Sequence, residues 1–543
     1  MFLVGGTLRK TAFALVTAMA AGLPAGAQVP QAVPAAMQAA PRLEFTADEM
    51  ALATAVAGDP QLAAFYGQNG LAPIFSGPDG AHRAAALRDV IADLPAHGLP
   101  PARYRPDALA NADPATVPGE VLHARMLARV VSDLTGGMVR PASVDPNIHR
   151  EVPRRPGAEI IREFVDHADP AAYLAGLGPQ DPRYRQLQQA LADRARLSAP
   201  AGTPLAPEGL WRPGARDARL ADLRARLASI GFDAGPAADP ALYDDALAGA
   251  VTSFQQAAGL PADGIAGPRT VQRLNAGADR QTRMILMALE RMRWMGTHDL
   301  NARHVWVNIP DYMVRMFEGG QQIFQTRGVL GKTDDHMQTP EFSDEMDYVV
   351  VNPSWNVPPG MFARTYFPRL QQNRNAFAHL DVVDGRGRVV PRDRIDFSRY
   401  TAANFPYRLR QSPSDDNALG LVKFIFPNPW NIYLHDTPSK GLFSETTRAF
   451  SNGCVRVRDP FDLAYLLLSQ ETDDPQRMFR RARDSGRETY LKLTPPPPVH
   501  LVYFTAFPDE SGQVRFYGDI YGRDGRLWQA MTKAGLESDG QNG

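Results

Sequence analysis

The chain has 543 residues, too many for one hydrophobic core, which sets an expectation of three or four domains. Its 44% hydrophobic and 22% charged residues are ordinary for a globular protein and exclude a fibrous or wholly disordered one. A net charge of −1 excludes molecule-wide attraction to nucleic acid or membrane surfaces and leaves only local basic patches.

The N-terminus reads as an export signal over residues 1–27. Arg9 and Lys10 form a positive start, Thr11 to Leu23 is apolar, and Ala25-Gly26-Ala27 fits an A-x-A cleavage site. The apolar run is shorter than the ~20 residues a spanning helix needs, so a membrane tie is expected only if the segment stays uncleaved. Residues 28–45 are rich in Pro, Ala and Gln and read as a flexible linker. From 46 to 200 the period is helical. Leu87, Val90, Ile91 and Leu94 share a face before Gly98 and Pro100, and HARMLARVVSDLTGG (123–137) repeats the pattern. A helical scaffold with no catalytic signature is expected there.

A compact segment follows at 215–278. Leu220, Leu223, Leu227 and Ile230 form one helical face, and Leu247, Val251 and Phe254 form another. Gly264 and Gly267 supply turn conformations, and Thr270 is expected to cap the last helix. With Phe254-Gln255, Gly259-Leu260, Asp263-Gly264 and Leu274-Asn275, this stretch resembles the peptidoglycan-binding type 1 module. A ligand-free three-helix bundle is the competing reading.

From about 300 the pattern becomes strand-like: HVWVNIP (304–310), YMVRMFE (312–318), QIFQTRGVLG (322–331), MDYVVVNPSWNVPP (346–359), KFIFPN (423–428) and NIYLHD (431–436). Residues 360–420 lose clear period and suggest a functional lid. DPFDLAYLLLSQ (459–470) reads as a helix, and 498–507 with 514–522 as a C-terminal hairpin within 496–530.

The single cysteine, Cys454, lies in SNGCVRVR (451–458). An exported chain with one cysteine has no internal disulfide, so burial, an intermolecular bridge and a reactive thiol are all open. A nucleophilic thiol needs its pKa lowered by a cation, a histidine or oriented amides. Arg456 and Arg458 share the Cys454 face of an extended segment, and the Gly453 and Cys454 amides are placed to meet an oxyanion. Among eleven histidines, His435 ends a strand 19 residues earlier and is the candidate base; a structural role at the turn through Asp436 or Thr437 competes with it.

HDTPSKGLFSETTRAFSNGCVRV (435–457) resembles the active-site signature of L,D-transpeptidases with the YkuD catalytic domain, most closely the large periplasmic YcbB-like branch. The matched positions are His435, Ser451, Gly453, Cys454 and Arg456. GKTDDHMQTPEFS (331–343), NPSWNVPPGM (352–361) and NALGLVKFIFPN (417–428) add to the likeness, which spans about 210 to 525. Many members carry histidine between the serine and glycine; here Asn452 stands there, so the base role falls to His435.

The resemblance implies a multidomain α+β fold: a helical N-terminal scaffold, a small three-helix peptidoglycan-binding module and a mostly-β catalytic domain (300–495) with an inserted lid. It implies that Cys454 attacks a tetrapeptide stem, releases D-alanine through a thioester, and passes the acyl group to a second stem as a 3→3 cross-link. A carbapenem would acylate the same sulfur, and no metal or organic cofactor is needed. Candidate substrate-binding residues are Arg456, Ser451, Asn452, Tyr433, Trp355 and Arg410, with Lys423 and Trp430 beside them. The partners implied are peptidoglycan stem peptides, not nucleic acid, in the periplasm of a Gram-negative bacterium. An L,D-carboxypeptidase on the same residues and a non-catalytic wall-binding protein are the alternatives.

Overall fold

The computed structural model describes residues 45–77, 79–196, 203–258, 260–275 and 280–536. The expected signal segment and the linker up to residue 44 lie outside them, as does Gly259.

The N-terminal half is helical. Its longest helix, Val117–Gly136, starts at Thr116, whose hydroxyl accepts the Gly119 N–H at 3.3 Å. Glu120 is buried in the first turn, with the Tyr66 hydroxyl and the Ile74 and Phe75 amides donating to it. The scaffold core does not close on itself. It is continuous with the helix Arg280–Arg293, with Trp306, Phe504 and Phe507 from the catalytic region, and with Leu527 and Met531 of a last helix, Arg523–Lys533, which sequence periodicity had not signalled. Buried pairs Arg291–Asp524 (2.7 Å) and Arg523–Glu341 (2.9 Å) cross the same junction.

The module has its own core, built by the helices Leu220–Ser229, Asp245–Ala257 and Pro268–Asn275. Its motif residues converge on one buried amide. The two side-chain N–H groups of Gln255 are shared among Asp263, the Ile265 carbonyl and the Thr270 hydroxyl, and its oxygen accepts the Gly264 N–H. Thr270 therefore sits inside the last helix as a partner of Gln255, not at its cap, because a buried amide with four hydrogen-bonding positions must be satisfied.

The catalytic region contains strands β1 (His304–Asn308), β2 (Met313–Glu318), β3 (Gln321–Gly331), β4 (Phe342–Glu345), β5 (Tyr348–Val351), β6 (Trp355–Asn356), β7 (Asp381–Val383), β8 (Arg408–Gln411), β9 (Val422–Ile425), β10 (Leu434–His435), β11 (Ala449–Ser451), β12 (Val455–Val457), β13 (Thr489–Lys492), β14 (Pro498–Val502), β15 (Ala506–Pro508) and β16 (Val514–Phe516). The main sheet runs β13-β5-β9-β10-β12-β3-β2-β1-β14-β4, with β11 beside β3. The expected late hairpin divides: β14 joins the main sheet in parallel with β1, and only β15 and β16 pair with each other.

Between β5 and β9 the chain builds an insertion with a three-stranded sheet, β6-β8-β7, and a separate core that includes Trp355, Phe362, Phe367, Leu370 and Leu409. The period was illegible there because these elements are two to six residues long and packed by aromatic clustering. Phe405 alone meets Phe362, Phe367, Phe397, Tyr400 and Tyr407.

Candidate active site

Two neighbouring strands carry the thiol and the imidazole. β10 pairs in parallel with β12, placing Leu434 opposite Val455 and His435 opposite Arg456. β9 runs antiparallel on the other side, with Lys423 opposite His435. Side chains directly opposite share a face, and so do residues two apart on a strand. Lys423, His435 and Arg456 thus form one row across the sheet. Tyr433 and Cys454 immediately precede β10 and β12; the Tyr433 hydroxyl meets the Cys454 sulfur, and its ring lies 5.6 Å from that of His435.

The loop before β12 is held by short contacts. Gly453 has φ +111°, and a Cβ there would stand 3.0 Å from the Ile432 side chain. The Ser451 hydroxyl accepts the Gly453 N–H at 3.1 Å and donates to the Cys454 carbonyl at 2.5 Å. The Gly453 amide, expected to face an oxyanion, is consumed by this staple, and Ser451, expected at the substrate, is buried and saturated by it. The Cys454 N–H makes no hydrogen bond with the described residues.

The sulfur hydrogen-bonds the Asn431 carbonyl at 3.5 Å, and the Tyr433 hydroxyl lies against it. Burial pushes the thiol up to about 11, although Tyr433, Arg456 and Lys423 all pull it down. His435 is pushed down to about 3, first by burial and then by the Arg456 and Lys423 cations. Arg456 thus favours the thiolate, as expected, whereas Arg458 is not among the groups acting on the sulfur; desolvation outweighs Arg456, and thiol and imidazole both rest neutral. His435 Nδ1 bonds the Asp436 carbonyl at 2.5 Å. A carbonyl only accepts, so Nδ1 carries the proton and Nε2 keeps its lone pair. Asp436 is itself fixed by Lys440 at 2.5 Å and by the Thr437 and Leu421 amides.

Arg456 and Lys423 form no ion pair with any described residue, and the Arg456 Nε is buried without a partner. Lys423 lies 5.6 Å from the Tyr433 ring. Arg458 takes a different course and pairs with Asp459 at 3.8 Å. Trp355 touches the Tyr433 hydroxyl from the insertion, so the insertion reaches the thiol's neighbour. Asn452 is exposed and contacts the Met361 sulfur of the insertion at 3.3 Å. Arg410 does not join this group. It stands opposite Asn356 on β8, on the face of the small sheet away from Trp355. Trp430, expected in the cleft, stacks on His149 of the scaffold with ring centroids 4.1 Å apart. Sequence reasoning gave no role to Asn431, two residues after Pro429 and with φ +55°, or to Thr339, which lies within the motif GKTDDHMQTPEFS (331–343).

Comparison with known proteins matches residues 302–485 to the YkuD L,D-transpeptidase catalytic domain, 60–191 to a scaffold domain and 216–274 to a peptidoglycan-binding domain. A Haemophilus influenzae protein named "Putative L,D-transpeptidase" is 35% identical over 225 residues, a match covering 41% of this chain and 45% of that one. The chain thus matches less than half the length of that relative. Crystal structures of L,D-transpeptidases from Xylanimonas cellulosilytica and Stackebrandtia nassauensis align at 16% and 14% identity over 56% and 55% of this chain. They are covered to 98% and 97%, with TM-scores of 0.16 and 0.15, too low for residue positions to be carried across. The chain therefore carries a YkuD-family L,D-transpeptidase catalytic domain together with a peptidoglycan-binding type 1 domain.

Proposed function

We propose that this protein is an L,D-transpeptidase that uses Cys454 as nucleophile and His435 as base to form 3→3 cross-links between peptidoglycan stems. The observation that carries the reading is the grouping of Cys454, Tyr433, His435, Arg456 and Lys423, in which Arg456 has no carboxylate partner among the described residues. A half-buried cation without a counter-charge is costly, and an anionic substrate supplies the missing partner. A stem peptide is rich in carboxylates, which Arg456 is shaped to bind bidentately.

The sulfur leaves the Asn431 carbonyl by rotation about χ1, and His435 Nε2 takes the thiol proton as the S–C bond forms. The carbonyl π pair moves to oxygen and returns as the C–N bond to D-alanine breaks, and the leaving amine takes the proton from His435. An amine of a second stem then attacks the thioester; the C–N bond forms as the C–S bond breaks, and the amine's proton passes by way of His435 to the departing sulfur, which restores the thiol. The scaffold match supports reading the chain as one of the large YcbB-like branch, and domains that act on peptidoglycan support a location outside the cytoplasm, which we read as the periplasm. No helix among the described residues is long and apolar enough to cross a membrane.

Intact mass after exposure to a carbapenem tests the reading. The wild type is expected to gain one adduct, and Cys454→Ser none. Incubation with tetrapeptide muropeptides is expected to give dimer plus D-alanine; tripeptide alone would assign water as the acceptor, and no adduct with no product would overturn the enzyme reading.

A further inference from the structure

The turn Asp335–Met337 and the two residues after it pass tightly under the catalytic loop. A Cβ on Gly331 would stand 2.2 Å from the Met337 carbonyl, and the Gln338 and Met337 carbonyls flank Gly453. Thr339 lies between them, fully buried. Its hydroxyl accepts the Gly331 N–H at 2.9 Å and donates to the Gly453 carbonyl at 2.8 Å. The Gly331 amide can only donate, so the hydroxyl proton is committed to Gly453. The rest of Thr339 is clamped by the C-terminal segment: its N–H donates to the Tyr521 hydroxyl at 3.3 Å, and its carbonyl accepts from Arg523 at 3.0 Å. Tyr521 in turn donates to the Gly331 carbonyl at 2.6 Å.

The Gly453 carbonyl and the Cys454 N–H belong to one planar trans peptide and point in opposite directions. Holding the oxygen inward aims the N–H outward. Ser451 has already taken the Gly453 N–H and the Cys454 carbonyl, and the Val455 N–H goes to Tyr433 O at 3.1 Å. The Cys454 amide has no hydrogen-bond partner among the described residues, and of the other amides in this turn only that of Asn452 shares this.

We infer that Thr339 is a positioning residue for acylation: by pinning the Gly453 carbonyl it aims the Cys454 N–H at the oxygen that becomes negative when the sulfur attacks. The inference rests on Cys454 being the nucleophile proposed above. In that step the S–C bond forms, the carbonyl π pair moves to oxygen, and the Cys454 N–H stabilises it until the C–N bond breaks and the nitrogen takes the proton from His435.

The test compares two reactions of one sulfur in the full chain. Acylation by a carbapenem passes through an oxyanion. Alkylation by iodoacetamide displaces iodide and involves no oxyanion. Thr339→Val is expected to slow carbapenem acylation roughly 100-fold, the usual effect of disturbing one such donor, with the alkylation rate within about twofold of wild type on the same scale. Thr339→Ser is expected to restore acylation. Thr339→Ala takes the place of Thr339→Val if the latter fails to fold. Acylation of the variant at the wild-type rate overturns the inference alone, and so does a parallel fall in both reactions, which would mark the hydroxyl as merely structural. A wild type that is alkylated but never acylated overturns the nucleophile reading and the inference with it.

Discussion

At Cys454 two opposing effects set the chemistry. Arg456 draws the thiol pKa down and depresses the imidazole as well, while burial lifts the thiol to about 11. Below that value the thiolate fraction rises tenfold per pH unit, so the iodoacetamide rate should climb with unit slope from pH 7 through 9 without a plateau. Removing Arg456 takes away an attraction for the thiolate. Arg456→Gln should slow alkylation at pH 8 by about three- to tenfold, the size of half to one pKa unit, and stopped-flow alkylation across that pH range checks both expectations. A faster variant would show that the guanidinium does not reach the sulfur. His435 and Cys454 stood out because the polar turn and the SNGC loop each end at a strand. Thr339 and Asn431 act through contacts 114 and 23 residues away in sequence, and no local pattern encodes such pairings.

Among the elements, the insertion between β5 and β9 is the part whose sequence said least and whose structure says most. Its strands are too short to show alternation, yet its aromatic residues form a core distinct from that of the main sheet. Leu409 is at the centre of β8 and 1% exposed. Leu409→Ala should cost about 2–5 kcal/mol, borne by the insertion, because its core is separate. Limited proteolysis should therefore open residues 360–420 first while the main sheet stays intact. Simultaneous loss of both would show that the two cores unfold together. Trp355 and Met361 also tie this element to Tyr433 and Asn452, so loosening it should slow acylation of Cys454 more than its alkylation.

For the molecule as a whole, buried histidines set the acid limit. His500 is held well below its ordinary range by burial, then by His298, His304, Arg150 and Arg183; His304 is held near 4, chiefly by burial. The unfolded chain protonates these rings near pH 6.5 while the native state does not. Stability is therefore complete above pH 6.5 and falls as pH drops toward 4, by up to about 1.4 kcal/mol per pH unit for each ring. Urea midpoints at pH 7.5 and 5 should show the loss, and His500→Gln should flatten it; an unchanged slope would remove His500 from the account. The helix Arg280–Arg293 follows the peptidoglycan-binding module in sequence but belongs to the scaffold core, where it buries Met284, Ile285, Leu289 and Met292. The module is thus a guest looped out of a body that the chain leaves and re-enters, not a bead between two others. Excising 203–275 and splicing the ends should leave a soluble body that still reacts at Cys454. A fragment beginning at 280 would instead strip the partner from an apolar helix face and should precipitate, though it spans the whole family match.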